Sequence, residues 1–304
     1  MAFASLVVLF IIFSVLSPNF EKFDNIVGIL LAAAVNGVLA VGVNFVVITG
    51  GIDLSIGTVM TLSSVITGVF ISYWGLPIPI GILGGLVTGA LIGLINGTTV
   101  ARLKMPPFIA TLGMMMITRG LSLVISGTKP IYFSNTPSFR YISMGIFMGL
   151  PNAVLIFFIT ALVGSLILSK TILGRYTYAL GSNEEAARLS GIKVDQWKMA
   201  IYSLAGFFSG LAGILMASRL NSAQPALGQG YEMDAIAAAV IGGTSLSGGE
   251  GTILGTVIGA FIISTLTKGL RILGVPQEWQ MVVTGAGAIV IFAVYTDSLR
   301  RRRR

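Results

Sequence analysis

Apolar residues in this chain come in long, nearly unbroken runs, not in the alternating or three-to-four spacing of a half-buried element. Punctuated by Pro, Gly or charge, the runs fall at about 3–17, 26–49, 54–73, 79–100, 107–126, 151–169, 199–218, 234–247, 252–270 and 279–296. A helix needs roughly 20 apolar residues to cross the hydrocarbon core of a bilayer. The pattern therefore predicts a single all-α domain over 1–304, a polytopic membrane helical bundle of about 10 transmembrane helices. Two stretches depart from it. The run from Asp234 to Ser247 is short and Gly-rich, and Gly50-Gly51-Ile52-Asp53 bends the chain between two closely spaced spans. Either is expected to be a re-entrant or broken helix lining a cavity, the setting in which a membrane tolerates irregular backbone.

Composition sharpens this picture. The chain is 55% hydrophobic and 10% charged, against about 25% charged in an ordinary soluble domain, so it cannot build a polar shell. It has no Cys and no His, which removes disulfides, thiolate metal sites and imidazole catalysis; no catalytic residue and no metal site is expected. The net charge of +8 is concentrated in the tail Arg300 to Arg304. Beside an apolar span that tail reads as an anchor for anionic headgroups, not as a nucleic-acid face. Met1 opens straight into AFASLVVLFIIFSVL, with no Lys or Arg before Lys22. That reads as a retained first span and not as a cleaved signal.

Loop charge orients the bundle. With the N-terminus inside, Arg102, Lys104, Lys170, Arg175, Arg188, Lys193, Lys198 and the five terminal arginines are cytoplasmic, twelve in all. Outside lie six: Lys22, Lys129, Arg140, Arg219, Lys268 and Arg271. The bias predicts both termini in the cytoplasm. Trp74 and Trp279 fall at expected outer boundaries and Trp197 at an inner one. Glycine recurs every fourth residue at Gly81, Gly85, Gly89, Gly93 and Gly97, and again at Gly251, Gly255 and Gly259. Such flat stripes let backbones approach closely, within one subunit or at a gate or dimer contact. The outer loop, Gly127 to Leu150, has room for a short surface helix.

The inner loop, about 170–198, reads KTILGRYTYALGSNEEAARLSGIKVDQWK. Ser182 followed three residues later by Glu185 fits a capping box. Glu184 and Arg188 stand four apart in the favourable order for an ion pair, and Gly191 supplies a stop. A polar helix of about two turns is expected, either as a solvated connector or as an element that docks in a partner's groove.

Asn183-Glu184-Glu185-Ala186-Ala187-Arg188-Leu189-Ser190-Gly191-Ile192 resembles the coupling segment of ribose-type sugar permeases of the ABC superfamily. In order around it, Gly50-Gly51-Ile52-Asp53-Leu54-Ser55, Phe108-Ile109-Ala110-Thr111-Leu112, Ser222-Ala223-Gln224-Pro225, Tyr231-Glu232-Met233-Asp234-Ala235-Ile236-Ala237 and Gly242-Gly243-Thr244-Ser245-Leu246-Ser247-Gly248-Gly249 are similar to that family's motifs. The resemblance spans roughly residues 15 to 285. It implies the transmembrane pathway of a monosaccharide importer in a bacterial inner membrane. It also implies three partners: a second permease copy, separate ATP-binding cassette subunits, and an extracytoplasmic sugar-binding protein. Ser182 to Gly191 would sit in the ATPase groove. Relatives carry a polar stretch before the first span, which this sequence lacks.

The residues agree with that division of labour. There is no G-x-x-x-x-G-K-[ST], so no P-loop cradles nucleotide here, and no cofactor is expected. Apart from Arg119, no charge falls deep in an expected span, which argues against an ion-coupled carrier, the rival from another class. The polar residues near span positions are mostly neutral: Asn36, Asn44, Asn96, Thr111, Thr118, Thr244 and Ser245. They suit a polyhydroxylated solute, and equally serve as helix–helix contacts. Arg119 is expected to pair with Asp234 or Glu232, or to snorkel outward. Asp53 is expected to cap a helix starting at Leu54, with a gate contact as the alternative. Arg219, Glu232, Arg271 and Glu278 are candidates for docking the binding protein. An amino-acid cargo, such as a branched-chain residue, remains the alternative within the same fold.

Overall fold

A computed structural model describes residues 2–286. The helices are α1 (Ala2–Leu16), α2 (Phe23–Ile48), α3 (Ile56–Gly68, continued by a π-helical turn, Val69–Tyr73), α4 (Ile78–Ala101), α5 (Pro107–Ser126), α6 (Tyr141–Met144), α7 (Asn152–Lys170), α8 (Ile172–Ser182), α9 (Glu184–Leu189), α10 (Val194–Leu220), α11 (Tyr231–Ile241) and α12 (Ile253–Ile272). Residues 277–286 are also helical. Seven of these, α2, α3 with its π turn, α4, α5, α7, α10 and α12, are long and apolar enough to cross a membrane. The multi-pass expectation holds; the count of about ten is not reached among the described residues. The 15-residue α1 falls short, and the expected span 279–296 lies in part, with Arg300 to Arg304 wholly, outside them.

The expected span 234–247 is a half-length helix. α11 covers only 11 residues and stops where Gly242 and Gly243, the latter at φ +97°, turn the chain back toward α12. The segment before it is irregular and runs deep. Ser222 and Ala223 pair with Tyr132 and Ile131 beside Gly68, at one end of α3. Gly228 touches Gly57, at the other end. Eleven residues of helix separate those two levels, so residues 222–228 travel roughly 16 Å into the bundle. Non-helical backbone at that depth is tolerated only inside protein or beside a wet cavity.

α2 and α10 form the core: Val38 to Ile48 of α2 and Ala205, Ala212 and Leu215 of α10 are almost wholly buried. The first glycine stripe is an intrasubunit contact. A Cβ on Gly89 or Gly93 would overlap the carbonyl oxygens of Gly206 and Tyr202, so α4 lies backbone to backbone on α10. The second stripe does the same for α12 on α11, where Gly255 and Gly259 meet the carbonyls of Gly242 and Ala238. The outer loop carries the expected short helix: a 3-10 turn, Pro137–Arg140, runs into α6. It is fastened to α10 by Ser218, whose hydroxyl donates to the Phe139 carbonyl at 2.8 Å and accepts from the Ser143 amide at 3.0 Å.

The two ends of the bundle sort the charges as the loops imply. Lys104 pairs with Asp195 at 3.3 Å and Arg188 approaches the same carboxylate at 4.0 Å. Arg219, Lys268 and Arg271 gather at the opposite end.

Candidate functional site

The segment Lys170–Lys198 is a succession of helices with little loop. α8 begins at Thr171, whose hydroxyl accepts from the Gly174 amide, and it buries Gly174, Thr177 and Leu180. It ends at Ser182, so the expected Ser182 cap is replaced by Asn183. In an extended conformation (φ −162°, ψ 102°), Asn183 accepts from the Ala186 amide at 2.9 Å and starts α9. Gly191, at φ +83°, closes the helix by donating to the Arg188 carbonyl at 3.0 Å.

Ion pairs hold α9 in place. The Glu184 carboxylate takes Arg188 at 3.2 Å and Lys198 of α10 more tightly, and Arg188 also reaches Glu185 at 4.0 Å. Partial burial raises the Glu184 carboxyl's pKa, but Lys198 and then Arg188 outweigh it, so the net shift is downward. Ala187 is buried against the bundle, while Glu185 and Leu189 project, Leu189 with 82% of its surface exposed. An exposed leucine on a charged, rigidly held helix offers a partner both a hydrophobic knob and polar rim contacts. Beside it lies a cavity of about 330 Å³ lined by Arg102, Arg188, Lys193, Asp195 and Gln196.

The break between α2 and α3 is a second polar centre. Asp53 is buried, and its Oδ1 accepts from the Ser55 amide at 2.8 Å and the Ser55 hydroxyl at 2.6 Å. Asn96 donates to the same hydroxyl at 2.8 Å. The helix starts at Ile56 and not at Leu54, so Asp53 braces the turn before it rather than its first free amides. Thr111 bridges across from α5, accepting from the Leu54 amide and donating to the Ile52 carbonyl, both at 3.2 Å.

The expected pathway residues therefore divide. Asn44, Asp53, Thr111, Thr118 and Thr244 are buried and held by internal hydrogen bonds, including Thr118 to Thr58 at 2.7 Å and Thr244 to Asn44 at 2.6 Å. Ser245 is half-buried in the α11–α12 turn, accepting from the Ser247 amide. Arg119 is exposed, beside Thr58, Thr61 and Gln229, and forms no ion pair among the described residues. Glu232 is buried with its carboxylate on the Gly230 amide at 3.1 Å, so it offers no surface charge; Glu278 is exposed.

Two further cavities flank the start of α11, beside the stretch expected to line one. One of about 160 Å³ is lined by Asn36, Arg219, Tyr231, Asp234, Lys268 and Arg271. The other, about 470 Å³, opens beside it between the start of α11 and the helix from 277, with Gln229, Asp234, Gln280 and Thr284 on its walls. Pro225, Gly228 and Gly230 are the sequence signal that the chain breaks there.

Apolar spans packed backbone to backbone, an irregular segment at membrane depth, polar cavities around a half-length helix and a rigid charged helix at one end define an α-helical membrane permease. The chain belongs to the family described as branched-chain amino acid transport system / permease component, whose model matches residues 25–294. It is 46% identical to the ribose import permease protein RbsC of Bacillus subtilis (strain 168), over 97% of this chain and 91% of that one. The ribose import permease protein RbsC of Escherichia coli (strain K12) is 42% identical, over 98% and 92%. The fructose import permease protein FrcC of Rhizobium meliloti is 38% identical, over 90% and 78%.

Proposed function

We propose that this chain forms the transmembrane pathway of an ATP-driven importer for a monosaccharide, ribose or a related sugar, in a bacterial inner membrane. The observation that carries the reading is α9: a capped, ion-paired helix with an outward-facing leucine, on a chain with no nucleotide-binding loop of its own. An ATPase subunit docks there, on the cytoplasmic side with both termini, in the segment Ser182 to Gly191. The relatives' names, ribose and fructose import permeases, support a sugar cargo over an amino acid.

A second copy of the chain faces the side that carries Arg119, Gln229 and the cavity at Gln280 and Thr284. Hydrocarbon leaves such groups unsatisfied, whereas a passage between two copies keeps them wet, and amides and hydroxyls there suit a neutral polyol. The buried set Asn44, Asp53, Thr111, Thr118 and Thr244 shapes that passage from behind. An extracytoplasmic sugar-binding protein docks over the opposite end, where Arg219, Lys268 and Arg271 attract acidic side chains and exposed Glu278 attracts a basic one.

Reconstitution in vesicles tests this. Sugar uptake is expected only with the co-purified ATPase, ATP and the binding protein encoded nearby, whose ligand calorimetry identifies. Uptake by this chain alone on a proton gradient overturns the proposal in favour of an ion-coupled carrier.

A further inference from the structure

Three segments far apart in sequence meet at the last residues before α9. The carbonyl of Ile48, the end of α2, accepts from the Gly249 amide at 2.8 Å. Gly181, at the end of α8, lies against both: a Cβ there would overlap the Ile48 carbonyl and crowd the Gly249 amide. A Cβ on Gly248, at φ +83°, would sit 2.8 Å from the Gly181 carbonyl and 3.0 Å from the Gly50 amide. One on Gly249 would lie 3.2 Å from the Ser182 Cα. No side chain separates the three backbones.

Two side chains clamp this contact from its edges. Tyr178 of α8 donates its hydroxyl to the Gly251 carbonyl at 2.7 Å, tying α8 to the turn that joins α11 and α12. Thr244 of that turn donates to the Asn44 side-chain oxygen at 2.6 Å, with both residues fully buried, tying the turn to α2 one helical turn before Ile48. Ser182 is followed directly by Asn183, the cap of α9, so no slack separates the junction from the helix. Beyond it on one side lies the α2–α3 break at Thr49–Ser55. On the other lies α11, whose first residues line the polar cavities.

We infer that this junction of α2, α8 and the α11–α12 turn transmits displacement of α9 to the pathway, with Tyr178 and Thr244 as positioning residues. The inference rests on the coupling role proposed above for α9. Close-packed backbones move as one body, so a push on α9 reaches the α2–α3 break and α11 together. Neither residue touches solute or nucleotide. Their effect is on how much transport each hydrolysis event produces.

Tyr178→Phe and Thr244→Val each remove one hydroxyl and keep the shape. In vesicles with ATPase and binding protein, both are expected to assemble and retain the ATPase, with the melting temperature lowered by a few degrees through the lost hydrogen bond. Uptake per ATP hydrolysed falls by about fivefold, the worth of one buried hydrogen bond. A purely structural role would lower the melting temperature by the same amount and leave that ratio alone. If Tyr178→Phe fails to assemble, Thr244→Val decides. A wild-type ratio in the variant or variants that assemble overturns the inference. Leu189→Asp, on α9 itself, separates the two failures. If it keeps the ATPase bound, the coupling role of α9 falls; if it loses the ATPase while the isosteric variants keep the wild-type ratio, only the junction falls.

Discussion

Lys198, in the second turn of α10, donates to the carboxylate of Glu184 on α9, so the short helix is anchored to the longest of the described helices. The anchor leaves Glu185 and Leu189 facing outward. Arg188 completes it through contacts to Glu184, Glu185 and Asp195. A helix of six residues has almost no stability of its own, so its orientation depends on these contacts and its caps.

Replacing Glu185 and Arg188 together with alanine is expected to abolish sugar uptake while membrane levels stay at wild type. Exposed ion pairs contribute only about 0–1 kcal/mol each, so the fold survives their loss. Uptake beside immunodetection of the membrane fraction checks this; unchanged uptake removes α9 from the coupling route.

Asn183→Ala removes the α9 cap and costs that helix about 1 kcal/mol. ATPase retention during purification should fall several-fold, and Asn183→Asp should restore it by supplying the same acceptor. Failure of the aspartate to rescue means the side chain acts otherwise than as a cap.

The depressed pKa of Glu184 carries a pH signature. Its folded value lies below the ordinary 4.5, so its stabilisation is complete above that pH and lost as pH falls through the depressed value. The melting temperature of wild type should exceed that of Glu184→Gln at neutral pH, by an amount worth less than about 1 kcal/mol for a part-exposed pair. The gap should close only in acid, below pH 4.5. A gap that closes near neutrality contradicts the ion-pair account.

Gly89→Val should be severe and Gly113→Ala harmless. At Gly89 any side chain meets the α10 backbone, whereas a Cβ on Gly113 of α5 has open space around it. Overpacking costs about 1–3 kcal/mol or more; alanine in a helix interior gains about 0.5–1 kcal/mol over glycine. Thermal melts in detergent distinguish the two, and equal melts would mean that α4 and α10 do not meet at Gly89.

Long apolar runs made the spanning helices legible, because a membrane leaves the backbone few choices. The Glu184–Arg188 pair and the Gly191 stop were legible because they depend on local spacing. α8 was read as loop although Thr171 and the Leu173–Thr177–Leu180 spacing mark a helix; its polar residues hid it. The 234–247 run counted among the spans, but its shortness and its glycines marked it as a broken helix, and the helix does end at Gly242 and Gly243. The burial of Glu232 and of the Asn44–Thr244 pair had no sequence signal. Those contacts join residues up to 200 positions apart, and only tertiary packing sets them.

α2 runs 26 residues without interruption before its break, a length of about 39 Å. The hydrocarbon core is roughly 30 Å thick, so this helix either leans or carries its ends into the headgroup layer. A thinner bilayer demands more of either and a thicker one less. Because the lower end of α2 is bonded at Ile48 to the turn beside α8, any change in how α2 sits in the bilayer is felt at the same joint from the opposite side.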